Sequence, residues 1–356
     1  MTERLRRSGH HPLMMIIAVL LTAFRAEAKS DGDLPLFVNQ STLSVRIEGP
    51  LSTFAKERSE TEYLDGKFSY TDDAGVEHVL DMKFRARGHF RRQKKTCRFP
   101  PMRLNFKKNQ LDGTEFAGQN ILKLVSPCNQ SSKKYEQYVL KEYLAYKILQ
   151  LHTPYSFGVR LLKISFVDTK YENRVTEKYG FFIEHKNQIS ERLGVKIADF
   201  VSTRHSKLVH EHASIAALFH YLIGNTDFSL IRGTLDGTCC HNGILVSSDS
   251  DKFIPVPYDF DFSGLVNAVY AGPNKKFRLR NVTQRLYRGH CSVNPELANT
   301  IALFQDKQEA VINLVDQQIG MTDGTRRKAR NYLLKFYGEL SKSAKIEAKF
   351  LRTCYD

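Results

Sequence analysis

The sequence predicts an α+β chain in two parts: a β-rich N-terminal half carrying one helix, then a mostly helical C-terminal half. Three observations predict this. Up to about residue 130, apolar and polar residues alternate with period two in "LSVRIE", "HVLDMKFRARG" and "MRLNFKK", the pattern of half-buried strands. Residues 133–150, "KKYEQYVLKEYLAYKILQ", switch to helical spacing. From about 190 onward long helical stretches dominate, including "PELANTIALFQDKQEAVINLVDQQIG" and "RRKARNYLLKFYGELSK". The junction falls near residue 187, dividing a part at 29–187 from a part at 188–356.

In chain order, the first 28 residues stand apart. Arg4, Arg6 and Arg7 precede an apolar run from Leu13 to Phe24, and "AEA" follows at 26–28. These are the three regions of a cleaved signal peptide. The run is too short to span a bilayer comfortably, so no transmembrane anchor is expected after cleavage. The strand-like segments come next, with turn signals at Asp65-Gly66, Ala74-Gly75 and Asp112-Gly113. "NILKLV" is a short apolar strand holding one cation, Lys123. After the helix at 133–150 come the strands "VRLLKISFVD" (159–168) and "YGFFIEHK" (179–186). "HEHASIAALFHYLIGN" is a helix stopping near Gly224, and the short strands "NGILV" and "FIPVPYDF" follow a polar loop.

Formal net charge is +15, with 26% charged and 42% hydrophobic residues. That composition can bury a core. Loss of the leader leaves 49 basic against 36 acidic residues, net +13. A surface this basic favours anionic partners. No zinc-finger, RNP-like or helix-turn-helix pattern is present, so nucleic acid is not the expected partner. The six cysteines, an even number, suggest disulfides in an exported, periplasmic or extracellular chain. Their spacing does not choose among the fifteen connectivities. The vicinal pair Cys239-Cys240 is expected to bridge to two different partners.

The residues that carry chemistry are polar groups in apolar settings. Val139, Glu142, Tyr146 and Leu149 share one face of the helix at 133–150, and a carboxylate on an apolar face needs a partner. Lys123 poses the mirror problem, and the economical solution is that the two meet. The alternative is that Glu142 sits at the face edge and Lys123 reaches solvent. "YLIGNTDFS" presents Asp227 just past a helix end, "HNG" presents Asn242 before a strand, and "VPYDFDFSGLVNA" holds Asp259 and Asp261 two apart in an aromatic run. Two aspartates and an asparagine offer the hard oxygen ligands that Mg²⁺ or Mn²⁺ takes beside phosphates. Caps and turns are the competing explanation for each residue singly. The order is a basic turn ("RARGHFRRQKKTCR"), a strand lysine, a helix glutamate, a connecting stretch at Glu184, a loop aspartate, an asparagine and a final aspartate. That is the order of parts in a two-lobed, protein-kinase-like phosphotransferase.

On these residues the sequence resembles the CotH-like atypical secreted kinases. The resemblance runs from about 85 to 270 through "RARGHFRRQKK", "LVSPCNQSSKKYEQYVLKEYLAYKIL", "GFFIEH", "IGNTDFS", "HN" and "VPYDFDFSGLVNA". It implies an ATP-dependent kinase acting on serine or threonine of a protein, with Mg²⁺ or Mn²⁺. It makes Asp227 the catalytic aspartate and Asn242 and Asp259 metal ligands, with Asp261 the next metal-site candidate. Lys123 and Glu142 become the phosphate-binding pair, with Arg87 and Glu184 as further nucleotide-site residues. The chain departs from protein-kinase spacing, with fifteen residues from Asp227 to Asn242, no H-R-D triplet and a single glycine in the basic turn. Phosphate grip would then rest on side-chain cations rather than backbone amides. Two other readings stay open. One is a non-catalytic envelope or secreted protein (a pseudokinase) that recognises anionic ligands. The other is a carboxylate-pair glycosidase, for which Asp259 would need Glu184 or Asp227 as partner.

Overall fold

The computed structural model describes residues 1–2, 35–171, 174–233, 238–248 and 251–356. The expected leader at 1–28 lies, but for its first two residues, outside them. The described residues from 35 onward form one compact unit.

Seven strands close into a barrel in the order β1-β2-β3-β4-β5-β7-β6. They are β1 (Leu43–Gly49), β2 (Leu64–Thr71), β3 (Glu77–Ala86), β4 (Met102–Phe106), β5 (Ile121–Val125), β6 (Val159–Asp168) and β7 (Arg174–Ile183). All neighbours are antiparallel except the closing pair, in which β1 runs parallel to β6 with Leu43 opposite Leu162 and Gly49 opposite Asp168. Alternate side chains of β1, β3 and β4 turn inward. Phe68, Phe84, Phe106, Phe116 and Phe182 fill the interior with Leu and Ile, and Phe116 meets Phe68 and Phe182 edge to face. Each buried ring contributes roughly 1.5–3 kcal/mol.

The α+β content agrees with the sequence. The two-lobed, protein-kinase-like architecture does not, and is corrected by the closed barrel: pairing of β1 with β6 joins the two ends of the seven-stranded sheet. Asp65-Gly66 is a second correction. It reads as a turn but lies inside β2, where a Cβ on Gly66 would stand 2.5 Å from the Glu48 carbonyl and 2.9 Å from the Phe84 ring. The glycine permits close approach, not reversal. Gly75, at φ 82°, does make the β2–β3 turn.

Helix α1 (Pro35–Val38) and α2 (Leu51–Glu57) flank β1, and α3 (Lys133–Gln150) lies between β5 and β6 in sequence. The rest comprises α4 (Lys186–Leu193), α5 (His210–Ile223), α6 (Asn294–Asp306), α7 (Gln308–Gln317), α8 (Asp323–Leu340) and α9 (Ser343–Ile346). With them comes a small antiparallel sheet ordered β10-β9-β8, made of β8 (Lys196–Ile197), β9 (Gly243–Ser247) and β10 (Ile254–Pro257). A second apolar core joins α3, α5 to α8, β9 and β10 to one outer flank of the barrel through Val125, Leu161 and Phe181. Helix α3 thereby has one side on the barrel and the other toward the loops after β10.

Three disulfides form among the described residues: Cys97–Cys128, Cys239–Cys240 and Cys291–Cys354. They are compatible with an exported protein. The vicinal cysteines thus bond each other rather than two separate partners. Among the described residues no helix is long and apolar enough to cross a membrane. Cys97–Cys128 pins the basic loop that follows β3 to the segment leading into α3, a closure spanning 31 positions. Replacing both cysteines by serine is expected to lower unfolding free energy by about 2–4 kcal/mol, readable in urea unfolding under oxidising conditions. A change below about 0.5 kcal/mol would mean that this loop holds its place without the bond.

Candidate functional site

The residues singled out in the C-terminal half come together. Helix α5 ends because Gly224 takes a left-handed conformation (φ 65°) and caps the carbonyls of His220 and Tyr221. Its Cβ position is also closed by the Tyr332 hydroxyl. The chain then turns, with Asn225 Oδ1 accepting from the Asp227 N–H at 2.9 Å. This presents the Asp227 carboxylate. Asn242 Nδ2 donates to the Asp227 carbonyl at 2.6 Å and to its Oδ2 at 3.1 Å. His241 Nε2 meets Asp227 Oδ1 at 2.9 Å.

Asp259 joins through the β9–β10 hairpin. Gly243 pairs with Pro257, and the Tyr258 N–H donates to the Asn242 carbonyl at 3.1 Å, so Asn242 and Asp259 flank one strand end. Both adopt left-handed backbone, at φ 52° and 61°. Asn and Asp tolerate that region better than other non-glycine residues, and such conformations concentrate at functional sites. The Asp259 N–H donates to Tyr146 Oη at 2.9 Å, which ties this end of β10 to α3. His241 experiences the charges of both Asp227 and Asp259, and its hydrogen bond to Asp227 is the main reason its protonated form is favoured beyond the usual range.

Two cations, Lys123 and Arg87, feel the charge of Asp259. Lys123 stands in β5 between Arg103 of β4 and Ile183 of β7, with its ammonium 5.6 Å from the Tyr258 ring centre. Burial, with Arg87 as the next cause, lowers its pKa to about 8, while Asp259 opposes the shift. Arg87 follows β3. Burial weakens its proton affinity, and Asp259 and Glu142 partly restore it. Its Nε is buried without a hydrogen-bond partner. A buried guanidinium N–H in that state is suited to an anion.

Glu142 and Lys123 do not form the anticipated pair. Glu142, 1% exposed, faces Arg91, with NH1 to Oε2 at 3.5 Å. Arg91 also takes Asp261, with Nε to Oδ2 at 3.3 Å. Asp261 therefore shares its guanidinium partner with Glu142. The geometric reason is reach: the loop after β3 places Arg91 against α3, whereas the β5 register directs Lys123 toward Tyr258. Burial raises Glu142 to about 8 and Asp261 to about 6, against the opposing pull of Arg91. Two carboxylates on one buried guanidinium favour retention of a proton. Glu142 Oε1 has no hydrogen-bond partner. Glu184 is committed elsewhere, with its carboxylate paired to Arg192 at 2.9 and 3.0 Å and accepting from the Gly158 N–H at 2.7 Å.

Sequence reasoning left Arg91, His241 and Tyr146 without roles. The signals were present: Arg91 lies four residues past Arg87, His241 adjoins Asn242, and Tyr146 shares the helix face of Glu142.

The donor set can be tested for a divalent ion. Among the described residues no group of three His, Cys, Asp or Glu side chains is arranged to hold one. Asn242 and Asp259 supply two oxygen ligands at most. Mg²⁺ typically takes one or two carboxylates and completes its shell with water and phosphate oxygens, so these residues fit the ion only together with a phosphate-bearing ligand. Beside Asp227 and His241 lies an open cleft of about 940 Å³, lined also by Arg232, Lys276, Phe277 and Arg288. A scan against protein-family models finds no match to this chain, and a search of curated proteins finds none either.

Proposed function

We propose that the chain is a phosphotransferase that moves the terminal phosphoryl group of ATP to a protein serine or threonine hydroxyl, with Mg²⁺ or Mn²⁺, in a periplasmic or extracellular setting. The observation that carries this reading is that Asn242 holds Asp227 and flanks the same strand end as Asp259, whose charge acts on Arg87 and Lys123. Phosphoryl transfer needs little covalent participation from the protein; it needs positioning and neutralisation of phosphate charge. The resemblance to CotH-like kinases supports the same reading.

Each residue has a task that follows from its place. Arg87, with an unsatisfied N–H, and Lys123, with a weakened proton affinity that an anion would restore, hold phosphate oxygens. Asn242 and Asp259 would hold the divalent ion, which when bound neutralises charge on the transferring group. Asp227 is kept in one orientation by His241 and Asn242. It accepts the proton of an acceptor hydroxyl presented from the 940 Å³ cleft. Arg91 is a positioning residue, joining α3 to the Asp259–Asp261 segment through Glu142 and Asp261. A second reading, nucleotide binding without transfer, draws on one observation: both oxygens of Asp227 already accept hydrogen bonds.

The test uses the disulfide-bonded chain. Its thermal midpoint is followed with ATP, with metal and with both, because a ligand of the native state must raise it. Transfer from γ-labelled ATP to the chain itself and to a serine- and threonine-rich acceptor is then measured. The expected result is a rise that requires both ATP and metal, followed by label in the acceptor. A rise without transfer supports the binding-only reading. No rise with any nucleotide and metal overturns both.

A further inference from the structure

On another face of α3 lies a second cavity, of about 840 Å³. Its charged lining consists of Lys133, Lys134, Lys141 and Lys328, and no carboxylate lines it. Among the described residues none of these four lysines makes an ion pair; the nearby acids are used or placed elsewhere. Glu136 accepts from the Tyr179 N–H at 2.7 Å, and Asp323, in the first turn of α8, does not line the cavity. Lys133 and Lys134 are in the first turn of α3, and Thr322 and Thr325 bring the start of α8 to the same cavity. Gln137 joins the two elements, accepting from the Thr322 N–H at 2.9 Å and donating to the Gly320 carbonyl at 3.0 Å. Two eighteen-residue helices therefore begin here, adding their positive ends to the lysine charge.

Lys141 makes the arrangement more than a solvated surface. Its ammonium donates to the Val266 carbonyl and lies 5.5 Å from the Tyr138 ring centre. Burial, then the like charges of Lys328 and Lys134, lowers its pKa to about 8. The cavity thus concentrates positive charge that no carboxylate among the described residues pairs with.

We propose that this cavity binds a compact polyphosphate group, as a soluble polyphosphate or as the headgroup of a phosphorylated lipid. Four ammonium groups and threonine hydroxyls match clustered phosphate oxygens, and the volume is within the range of small-molecule sites. The site is separate from the Asp227–Asp259 cluster and does not depend on the reaction proposed for it. It shares α3, since Lys141 precedes Glu142 and its acceptor Val266 follows Asp261 in the same stretch.

Isothermal titration of the disulfide-bonded chain with inorganic tripolyphosphate at about 0.15 M ionic strength tests this, beside co-sedimentation with vesicles carrying phosphatidylinositol bisphosphate. Wild type is expected to bind one equivalent saturably. Lys134→Ala/Lys328→Ala, two exposed changes, is expected to bind at least about tenfold more weakly. Lys123→Met, outside this cavity, is expected to keep the lysine-dependent binding. Lysine-dependent binding to tripolyphosphate supports a soluble ligand; lysine-dependent binding to vesicles alone supports a headgroup. Absence of lysine-dependent binding in both arms overturns the proposal. So does binding that Lys123→Met removes and the double lysine variant keeps, because that would place the ligand at the other site.

Discussion

Asp259→Asn is expected to abolish the metal-dependent thermal shift with ATP and to lower phosphoryl transfer by at least about 10²–10³-fold, the scale on which loss of one preorganised electrostatic contact is felt. The substitution keeps size and a carbonyl oxygen, and asparagine also tolerates the left-handed backbone at this position (φ 61°). The backbone N–H bond to Tyr146 Oη is unaffected in kind. What is lost is the negative charge facing Arg87 and Lys123. The melting temperature without ligand should therefore change little, while the ligand-induced rise disappears. A variant that still shifts with ATP and metal would remove Asp259 from the metal-binding role. A variant that unfolds without ligand would assign the carboxylate to compensating the two cations.

Arg91→Met is expected to cost about 3–5 kcal/mol of stability near pH 8, because it leaves two buried carboxylates on an apolar helix face without their cation. The pH dependence distinguishes this from lost packing. Glu142 and Asp261 already titrate above their ordinary values, at about 8 and about 6. A raised carboxylate favours the native state in its neutral form. That contribution is complete below the unfolded value near 4 and is lost as pH rises through the folded value. Removing Arg91 pushes both groups up further. The variant should thus lie closest to wild type near pH 5 and fall away toward pH 8. Glu142→Gln in the same background should recover part of the loss, and denaturant unfolding of the four proteins at both pH values completes the cycle. An equal loss at pH 5 and pH 8 would mean that the arginine acts through its hydrocarbon stem alone.

The parts legible in the sequence were those with local period. Helix α3 occupies 133–150 as its spacing predicts, and α5 stops at Gly224 because only a residue at ease with positive φ ends it there. The convergence of Asp227, Asn242 and Asp259 was readable because each lies where a regular element ends. Barrel closure was not. A strand's alternation states which face is buried, not which distant strand lies beside it. Gly66 misled for a related reason: a glycine after aspartate signals a turn locally, whereas its cause here is the Phe84 ring across the sheet. Glu142, on an apolar face, needs a partner, and Lys123 is the cation the sequence offers. The cation proved to be Arg91, which inside "RARGHFRRQKK" has the appearance of one more solvated charge.

The parallel seam between β1 and β6 bears on how the molecule is reached from the unfolded chain. Leu43 finds Leu162 more than a hundred positions further on, so the cylinder cannot close until nearly half the chain is available. Until then β1 has only β2 beside it and presents an unpaired edge of "LSVRIEG", a surface that invites pairing with another chain. Long-range closure of this kind slows folding and prolongs exposure of such edges. Refolding yield should therefore depend on protein concentration more steeply than on denaturant-free stability. A chaperone that covers the first strand would help this protein more than one that assists its helices.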